Sequence, residues 1–181
     1  YAPGHRDELR AVCLASASER ARTNPDHGRF TLLMYCDSYL DHGLSFMLLD
    51  DDDIARGYIL CCEDWDAWKP AFEPYAQRIR KISPEHATRM ADELAYYERV
   101  KDAYPAHLHI DIQAEFTGGG NGRHLMETLL DALRERGVRG VSFGVAASNK
   151  RAIGFYEHMG FERLVEYGDD EGGGYTFGMR F

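Results

Sequence analysis

The chain has 181 residues, of which 44% are hydrophobic, 12% aromatic and 28% charged. This composition predicts a folded domain with a substantial core and excludes a disordered segment. The net charge of −9 and the pI near 5.3 argue against a nucleic-acid partner, because such binders concentrate Lys and Arg on one face. An acidic protein suits a cationic acceptor such as an amine.

The sequence predicts no membrane segment, disulfide or metal site. No apolar run approaches the ~18–20 residues that a bilayer-spanning helix needs, and residues 1–5 are not typical of a signal peptide. The four cysteines show neither disulfide nor zinc spacing, so we expect reduced, buried thiols and a cytoplasmic protein: Cys13, Cys36, Cys61 and Cys62.

The N-terminal part is expected to contain, in order, a helix, a β-hairpin and a helical insertion: 6–17, 44–49 with 54–62, and about 64–104. Four aspartates separate the two hairpin strands and indicate a solvated turn, since the ligand and glycine spacing of an EF-hand is absent. Within the insertion, Pro70 and Pro74 predict helix breaks. Ser83 followed by Pro84 predicts a new helix start.

The C-terminal part alternates strands and helices. Residues 107–112 alternate between apolar and polar and therefore predict a strand. A glycine-rich turn follows, and then a helix that Gly137 ends. The remaining elements are a strand, a short helix capped by Ser148 or Asn149, and two strands joined by an acidic glycine-rich turn: 141–145, 150–159, 161–167 and 175–181. This order predicts an α/β (α+β) fold with a mixed sheet.

The glycine-rich turn has the composition of an anion-binding site. Gly118, Gly119, Gly120 and Gly122 can point successive N–H groups into one concavity, and the helix that starts there adds the positive end of its dipole. Arg123 could add a charged hydrogen bond. The turn lacks the Gly-Lys-Ser/Thr of a P-loop, and it lies too late in the chain for a dinucleotide fold. Taken alone, it is equally compatible with a connection that binds nothing.

Two separated motifs resemble the Gcn5-related N-acetyltransferase (GNAT) family. TGGGNG at 117–122 corresponds to the family's Arg/Gln-x-x-Gly-x-Gly/Ala, and Asn149, Ala152 and FYEHMGF at 155–161 correspond to its later pattern. The resemblance spans 107–161. It implies acetyl-CoA as the cofactor and a GNAT fold over residues 1–181 as one domain, with a mixed central sheet of about six to seven strands flanked by helices on both faces. Thr117 departs from the family's Arg or Gln and brings less charge to a phosphate.

A narrower resemblance concerns YPAHLHIDI at 104–112 and GVAASN at 144–149. These segments are similar to the acetyltransferase-like C-terminal domain of O-GlcNAc hydrolase and its free-standing bacterial relatives, which bind acetyl-CoA. Two functions therefore stay open. The first is transfer of an acetyl group to a small-molecule or protein amine. The second is a catalytically inactive acetyl-CoA-binding pseudo-acetyltransferase or recognition module. A homodimer is compatible with both.

The family resemblance implies roles for individual residues. Pantetheine would pair with the backbone of Ile110, Asp111 and Ile112, and Tyr156 matches the general acid that meets the coenzyme sulfur. Tyr156 could instead simply pack beside its neighbour, and Asn149 either contacts the coenzyme or starts a helix. The residues implied at the pyrophosphate are Thr117, Gly118, Gly119, Gly120, Asn121, Gly122 and Arg123.

The general base is less sharply predicted. His107, His109 and Asp111 share one strand face, and an imidazole oriented by a carboxylate titrates in a useful range. A buried polar cluster that fixes the sheet is an equally open interpretation. Glu63 and Asp64, at the end of a strand, are weaker candidates. Three aromatic residues of the insertion could wall an acceptor pocket, although packing of the insertion is favoured: Trp65, Trp68 and Tyr75.

Overall fold

The computed structural model describes residues 2–167 and 173–181. In this part of the chain six strands form one mixed sheet in the order β1-β2-β3-β4-β6-β5. The strands are β1 (Leu44–Leu49), β2 (Ala55–Cys62), β3 (Ala106–Ile112), β4 (Gly140–Ala146), β5 (Glu162–Tyr167) and β6 (Gly174–Arg180). Neighbouring strands are antiparallel except for β3 and β4, which are parallel. The expected acidic turn before β6 lies, apart from Gly173, outside the described residues.

The α-helices of the described chain are α1 (Arg6–Ser16), α2 (Glu19–Thr23), α3 (Pro25–Leu32), α4 (Ser38–His42), α5 (Trp65–Arg80), α6 (Pro84–Val100), α7 (Asn121–Glu135) and α8 (Lys150–His158). A π-helical turn, Leu33–Asp37, joins α3 to α4, and short 3₁₀ turns stand at Pro3–His5 and Ala114–Phe116. No helix among the described residues combines the length and the apolar character that a bilayer crossing requires.

Several helices begin where a local side chain satisfies a free backbone N–H. Ser83 accepts from the His86 N–H and Pro84 occupies the first helical turn, which confirms the predicted start of α6. Asn149, rather than Ser148, accepts from the Ala152 N–H at 3.1 Å and caps α8. These helix starts therefore follow from the local sequence.

The predicted breaks at Pro70 and Pro74 are wrong, because α5 runs through both residues. Both prolines lie on the exposed side of the helix, where water can hydrate the carbonyls that lose an N–H partner. The opposite side buries Trp68 and Phe72, which stack on each other with ring centroids 4.6 Å apart. Packing of the aromatic face outweighs the local cost of the prolines.

Helices cover both faces of the sheet, as the sequence predicts. On one face, α7 and α8 enclose a hydrophobic cluster that includes Leu129 and Phe143. On the other, α1, α3, α5 and α6 enclose a second cluster around Phe30 and Phe72. The observed architecture is the mixed, two-sided α/β arrangement that was expected, with six strands among the described residues.

The two central parallel strands separate along their length. β3 and β4 pair only at Ala106 with Val141 and at His107 with Ser142. Beyond these pairs β3 remains bonded to β2, and β4 remains bonded to β6. A gap therefore opens between the C-terminal halves of β3 and β4, where each strand has a free edge.

Candidate active site

The glycine-rich turn stands at the end of the gap and leads into α7. Gly118 and Gly120 have φ angles of 95° and 89°, in the left-handed region that favours glycine. Gly120 is the N-cap of α7 and has no side chain to occupy the first N–H groups of the helix. A Cβ placed at Gly119 or Gly120 would meet open space. The backbone therefore offers accessible donors to an anion at the positive end of the helix dipole.

The polar side chains of the turn hold its shape. The Thr117 hydroxyl donates to the Ala114 carbonyl at 2.7 Å, and the Asn121 amide donates to the Phe116 carbonyl at 2.9 Å. Arg123 pairs with Glu127 on the helix surface at 3.4 Å. Phosphate contacts from Thr117, Asn121 and Arg123 stay predictions, and the backbone of the glycines is the part of the turn that is free to bind.

Arg151 places a cation at this turn, and sequence reasoning missed it. A guanidinium nitrogen of Arg151 lies 3.7 Å from the point that a Cβ of Gly118 would occupy. The residue belongs to the first turn of α8, beside the cap Asn149, and only the fold brings it to the glycines. A guanidinium here can supply the charge that Thr117 lacks.

The turn also packs against the elements that border the gap. A Cβ at Gly122 would lie 3.6 Å from Cδ1 of Ile112 on β3 and 3.7 Å from Cζ of Phe155 on α8. The residues of the two sequence motifs are thus in mutual contact.

Tyr156 lies on the α8 side of the sheet and is only 8% exposed. Its ring meets Phe143 edge-on at 4.5 Å. Burial raises the pKa of Tyr156, and the charge of Asp111 raises it further. The phenol therefore keeps its proton, and Asp111 is near enough to act on it.

His109 and Asp111 form a pair on the opposite face of β3. His109 Nε2 and Asp111 Oδ2 are 3.1 Å apart, and the two side chains are 30% and 17% exposed. The Tyr58 hydroxyl donates to the same carboxylate oxygen. Burial alone would lower the pKa of His109, but the charge and hydrogen bond of Asp111, with a contact to Cys13, raise it to about 10.

Cys13, on α1, is an unpredicted neighbour of this pair. One sulfur, nitrogen or oxygen atom from each of Cys13, His109 and Asp111 lies within 4.8 Å of the others. A hydrogen bond from Cys36, followed by the contact with His109, lowers the pKa of the Cys13 thiol. No spacing in the sequence links Cys13 to β3, because packing of α1 on the sheet creates the contact.

The other candidate bases have structural surroundings. His107 is 1% exposed among aromatic rings, with Tyr97 at 4.3 Å and Trp68 at 4.8 Å, and burial lowers its pKa to about 3. His107 is therefore neutral and belongs to the core. Glu63 pairs with Arg136 at 2.9 Å, and Asp64 is the N-cap of α5.

The packing interpretation of the insertion's aromatic residues is confirmed. All three are buried, with exposed fractions of 1%, 3% and 8% for Trp65, Trp68 and Tyr75.

A cavity of about 980 Å³ opens beside the His109 side chain. It lies between the separated strands and α6, on the sheet face opposite α7. Gly144 and Ala146 of β4 border it where it meets the gap. Its wall is rich in tyrosine and also carries carboxylates and guanidinium groups: Tyr35, Tyr39, Tyr96, Tyr97, Tyr167, Glu85, Asp92, Glu93, Arg89 and Arg99. The gap thus has a glycine-rich turn with uncapped N–H groups at one end and a cavity bordered by His109 on one side.

Parted parallel strands beside a glycine-rich helix start are suited to holding a phosphate-bearing ligand. Residues 14–161 match the model of the acetyltransferase (GNAT) family. The match covers most of the chain, and the chain belongs to the GNAT family.

Curated relatives share only a short segment with this chain. The [ribosomal protein bS18]-alanine N-acetyltransferase of Escherichia coli (strain K12) is 42% identical over 58 residues, which are 32% of this chain and 39% of the relative. The protein of the same name from Salmonella typhimurium (strain LT2) is 43% identical over 58 residues, with the same shares. The chain therefore matches well under half the length of these relatives.

Solved structures resemble the chain over nearly its whole length. A crystal structure described as SsHAT has a TM-score of 0.78 and 28% identity, covering 99% of this chain and 95% of its own. An agmatine N-acetyltransferase has a TM-score of 0.67 and 16% identity, with coverages of 100% and 97%. The polyamine N-acetyltransferase of Drosophila melanogaster has a TM-score of 0.66 and 15% identity, with coverages of 98% and 96%. At these lower identities the last two show the fold alone.

Proposed function

We propose that the protein is an acetyl-CoA-dependent N-acetyltransferase that acetylates an amine. One observation carries the proposal: the parted edges of β3 and β4 connect the glycine-rich turn with a cavity that is bordered by His109, the partner of Asp111. Acetyl-CoA, when bound, supplies the acetyl group. The residues of this chain supply binding, orientation and proton transfer.

The residues at the turn fit a pyrophosphate. The N–H groups of 118–122 and the start of α7 are free of side-chain caps, and Arg151 adds a guanidinium nearby. Ile110 and Ile112 present their backbone groups to the free edge of β3 and would pair with pantetheine there. The backbone groups of Asp111 point towards β2 instead, because the Gln113 N–H bonds to the Arg56 carbonyl and the groups alternate along the strand. The cap residue Asn149 keeps the first turn of α8, and with it Arg151, in place.

His109 is our candidate for the base that takes a proton from the acceptor amine. It borders the cavity, and its raised pKa of about 10 is close to the ~10.4 of an ordinary alkylammonium. Proton transfer from the amine to His109 is therefore nearly balanced, whereas an unperturbed imidazole of pKa ~6.5 would leave it strongly uphill. Asp111 orients the ring and stabilises its charged form.

Tyr156 is our candidate for the group that meets the departing thiolate. Its raised pKa keeps the phenol protonated, so it can donate a hydrogen bond to sulfur as negative charge develops there. Burial against Phe143 fixes the direction of the ring. His107 has no part in this proposal, since it lies in the core away from the cavity.

Two measurements test the proposal. Calorimetry should detect acetyl-CoA binding, and an assay for free CoA should detect turnover with at least one member of an amine panel. We expect His109→Ala to lose turnover and keep acetyl-CoA binding. The matched control, His158→Ala, changes an exposed histidine at the end of α8 and should affect neither. Binding without CoA release from any amine would favour the inactive acetyl-CoA-binding pseudo-acetyltransferase or recognition module, and absence of binding would refute both functions.

Four narrower statements belong to the same proposal. Within the family we place the chain near the acetyltransferase-like domain of O-GlcNAc hydrolase, on the segments 104–112 and 144–149. Residues 1–181 form one domain, which is supported by a single sheet with a hydrophobic cluster on each face. The protein works in the cytoplasm, which suits its free, buried cysteines. Assembly into a homodimer stays a prediction.

A further inference from the structure

Glu93 is an enclosed carboxylate on the cavity wall. It lies on α6 and is half-buried, and the Tyr35 hydroxyl donates to it at 2.6 Å. Within the described part of the chain no Lys, Arg or His nitrogen lies within ion-pair distance of it. A carboxylate in this position gains stability from any cation that enters the cavity.

Tyrosine side chains surround this carboxylate. Tyr35, Tyr39, Tyr97 and Tyr167 all border the same cavity. Burial raises the pKa of each, and the nearby charge of Glu93 adds to the effect. All four rings are therefore neutral, and ring faces attract organic cations. We call Glu93 and these four tyrosines the Glu93 box.

A cationic side chain on the cavity wall, Arg89, is partly engaged elsewhere. Arg89 lies over the Phe30 ring at 5.6 Å from its centroid. Burial raises the pKa of Glu93, and the Tyr35 hydrogen bond opposes the effect, as do the charges of Arg89 and His109 from beyond ion-pair distance. The negative charge of the Glu93 box is therefore only partly compensated by the described residues.

The Glu93 box lies next to the proposed base. The Tyr35 ring packs against the His109 ring at 5.2 Å, while its hydroxyl bonds to Glu93. A single tyrosine therefore separates the carboxylate from His109. One acceptor molecule can place an amine at His109 and a second group at Glu93.

We propose that the acceptor carries two positively charged amino groups: one gives its proton to His109 and is then acetylated, while the other is held by the Glu93 box. This inference rests on the proposed function and specifies its substrate class as a diamine or a similar dication. The second cation would stay charged, since it sits beside a carboxylate and neutral rings. Acidic amines and simple monoamines lack the group that the box recognises.

The test compares amines that differ only in the second charge. We would measure kcat/KM for CoA release with α,ω-diamines from diaminobutane to diaminoheptane and with alkylamines of the same lengths. A charge-assisted contact of this kind predicts a preference of about 10- to 100-fold for the best diamine over its matched monoamine. In Glu93→Gln, which can still accept from Tyr35, most of that preference should vanish, because the KM for diamines should rise much more than the KM for monoamines.

Asp92→Asn is the matched control. Asp92 also borders the cavity on α6 but is exposed, so its loss removes one negative charge outside the Glu93 box. Equal losses in Asp92→Asn and Glu93→Gln would overturn the inference in favour of general attraction by an acidic cavity. Equal kcat/KM for diamines and monoamines would also overturn it, while leaving the acetyltransferase in place.

A binding measurement separates this inference from the proposed function. In calorimetry, diamines should bind to the CoA-loaded wild-type protein and should bind about tenfold more weakly to CoA-loaded Glu93→Gln. Monoamines should bind weakly to both proteins. If acetyl-CoA binds but no amine is acetylated, the proposed function fails. Diamine binding that depends on Glu93 would then still identify the box as a dication site, and diamine binding that ignores Glu93 would refute it.

Discussion

Replacing Asp111 with asparagine should move the pH dependence of acetyl transfer to lower pH. As a base, His109 must be unprotonated, so kcat/KM should rise with pH and level off near the pKa of His109, which is about 10. Asp111 holds the proton on His109 through a 3.1 Å contact. Asparagine keeps the shape of the side chain and removes the charge, so His109 should release its proton more easily.

The size of the shift follows from the contact that is lost. A hydrogen bond to a charged group contributes about 1.5–3 kcal/mol, and one pH unit corresponds to about 1.4 kcal/mol, so the ascending limb should move down by roughly one to two pH units. Burial lowers the pKa of His109 and acts in the same direction once the carboxylate is gone.

The side chains packed around His109 keep their identity in this variant, although Tyr58 and Cys13 also lose the charge of Asp111. Cys13 faces it from α1, Tyr58 from β2, Tyr35 from the π-helical turn and Glu93 from α6. The pKa of both tyrosines is raised by burial, so they stay neutral over most of the range. The contact with Cys13 still raises the pKa of His109, so the shift should stop short of the value for free imidazole.

The assay is kcat/KM for CoA release from pH 6 to 10.5 with one acceptor amine. Using the same amine throughout cancels its own ionisation, so the displacement between the two profiles reports on His109. Asp131→Asn is the control, since Asp131 is an exposed carboxylate paired with Arg134 on α7. Circular dichroism would verify that Asp111→Asn is folded. If the ascending limb of its pH profile then stays in place or moves to higher pH, the assignment of His109 as the base is refuted.

Three further results follow from the structure. Tyr156→Phe should slow turnover by about 100-fold or more with little change in acetyl-CoA affinity by calorimetry; an unchanged rate would remove Tyr156 from the mechanism. Arg151→Ala should weaken acetyl-CoA binding about tenfold at low salt, while Arg134→Ala, at the far end of α7, should not; equal affinities would show that Arg151 does not touch the phosphates. Leu129→Ala, at a fully buried position on α7, should lower the free energy of unfolding in urea by about 2–5 kcal/mol. Leu49→Ala, at the 37% exposed end of β1, should cost under about 1 kcal/mol, and similar costs at both sites would contradict the described core.

Elements with strong local patterns were predictable. The alternation at 107–112, the hairpin around the aspartates and the caps Ser83 and Asn149 all appear in the structure, since each depends on neighbours within a few residues. In residues 18–43, α2 to α4 with their π-helical turn went unpredicted, although Ser18 caps α2, and Asn24 followed by Pro25 starts α3 by the same local signal as Ser83 and Pro84. Short helices of five to eight residues gain little from propensity and depend on packing against the rest of the core.

The parts of the site that the sequence missed all come from distant elements. Arg151 reaches the glycine turn from α8, Cys13 reaches His109 from α1, and Glu93 reaches the cavity from α6. None of these residues has a spacing that links it to its neighbour in space. Motif comparison locates the turn and Tyr156, whereas the electrostatic surroundings of the base require the fold.

The surroundings of His109 also constrain which acceptors suit the site. An isolated imidazole with a pKa near 6.5 is unprotonated at neutral pH, but it takes a proton from an alkylammonium against a difference of about four pH units. Pairing with Asp111 removes most of that difference and leaves His109 largely protonated at neutral pH. The raised pKa of His109 therefore favours strongly basic aliphatic amines as acceptors, because only these need a strong base to remove their proton. Weakly basic aromatic amines should gain little from it. The Glu93 box, one tyrosine ring away, selects for positive charge as well. Two separate features of one cavity therefore indicate the same acceptor chemistry.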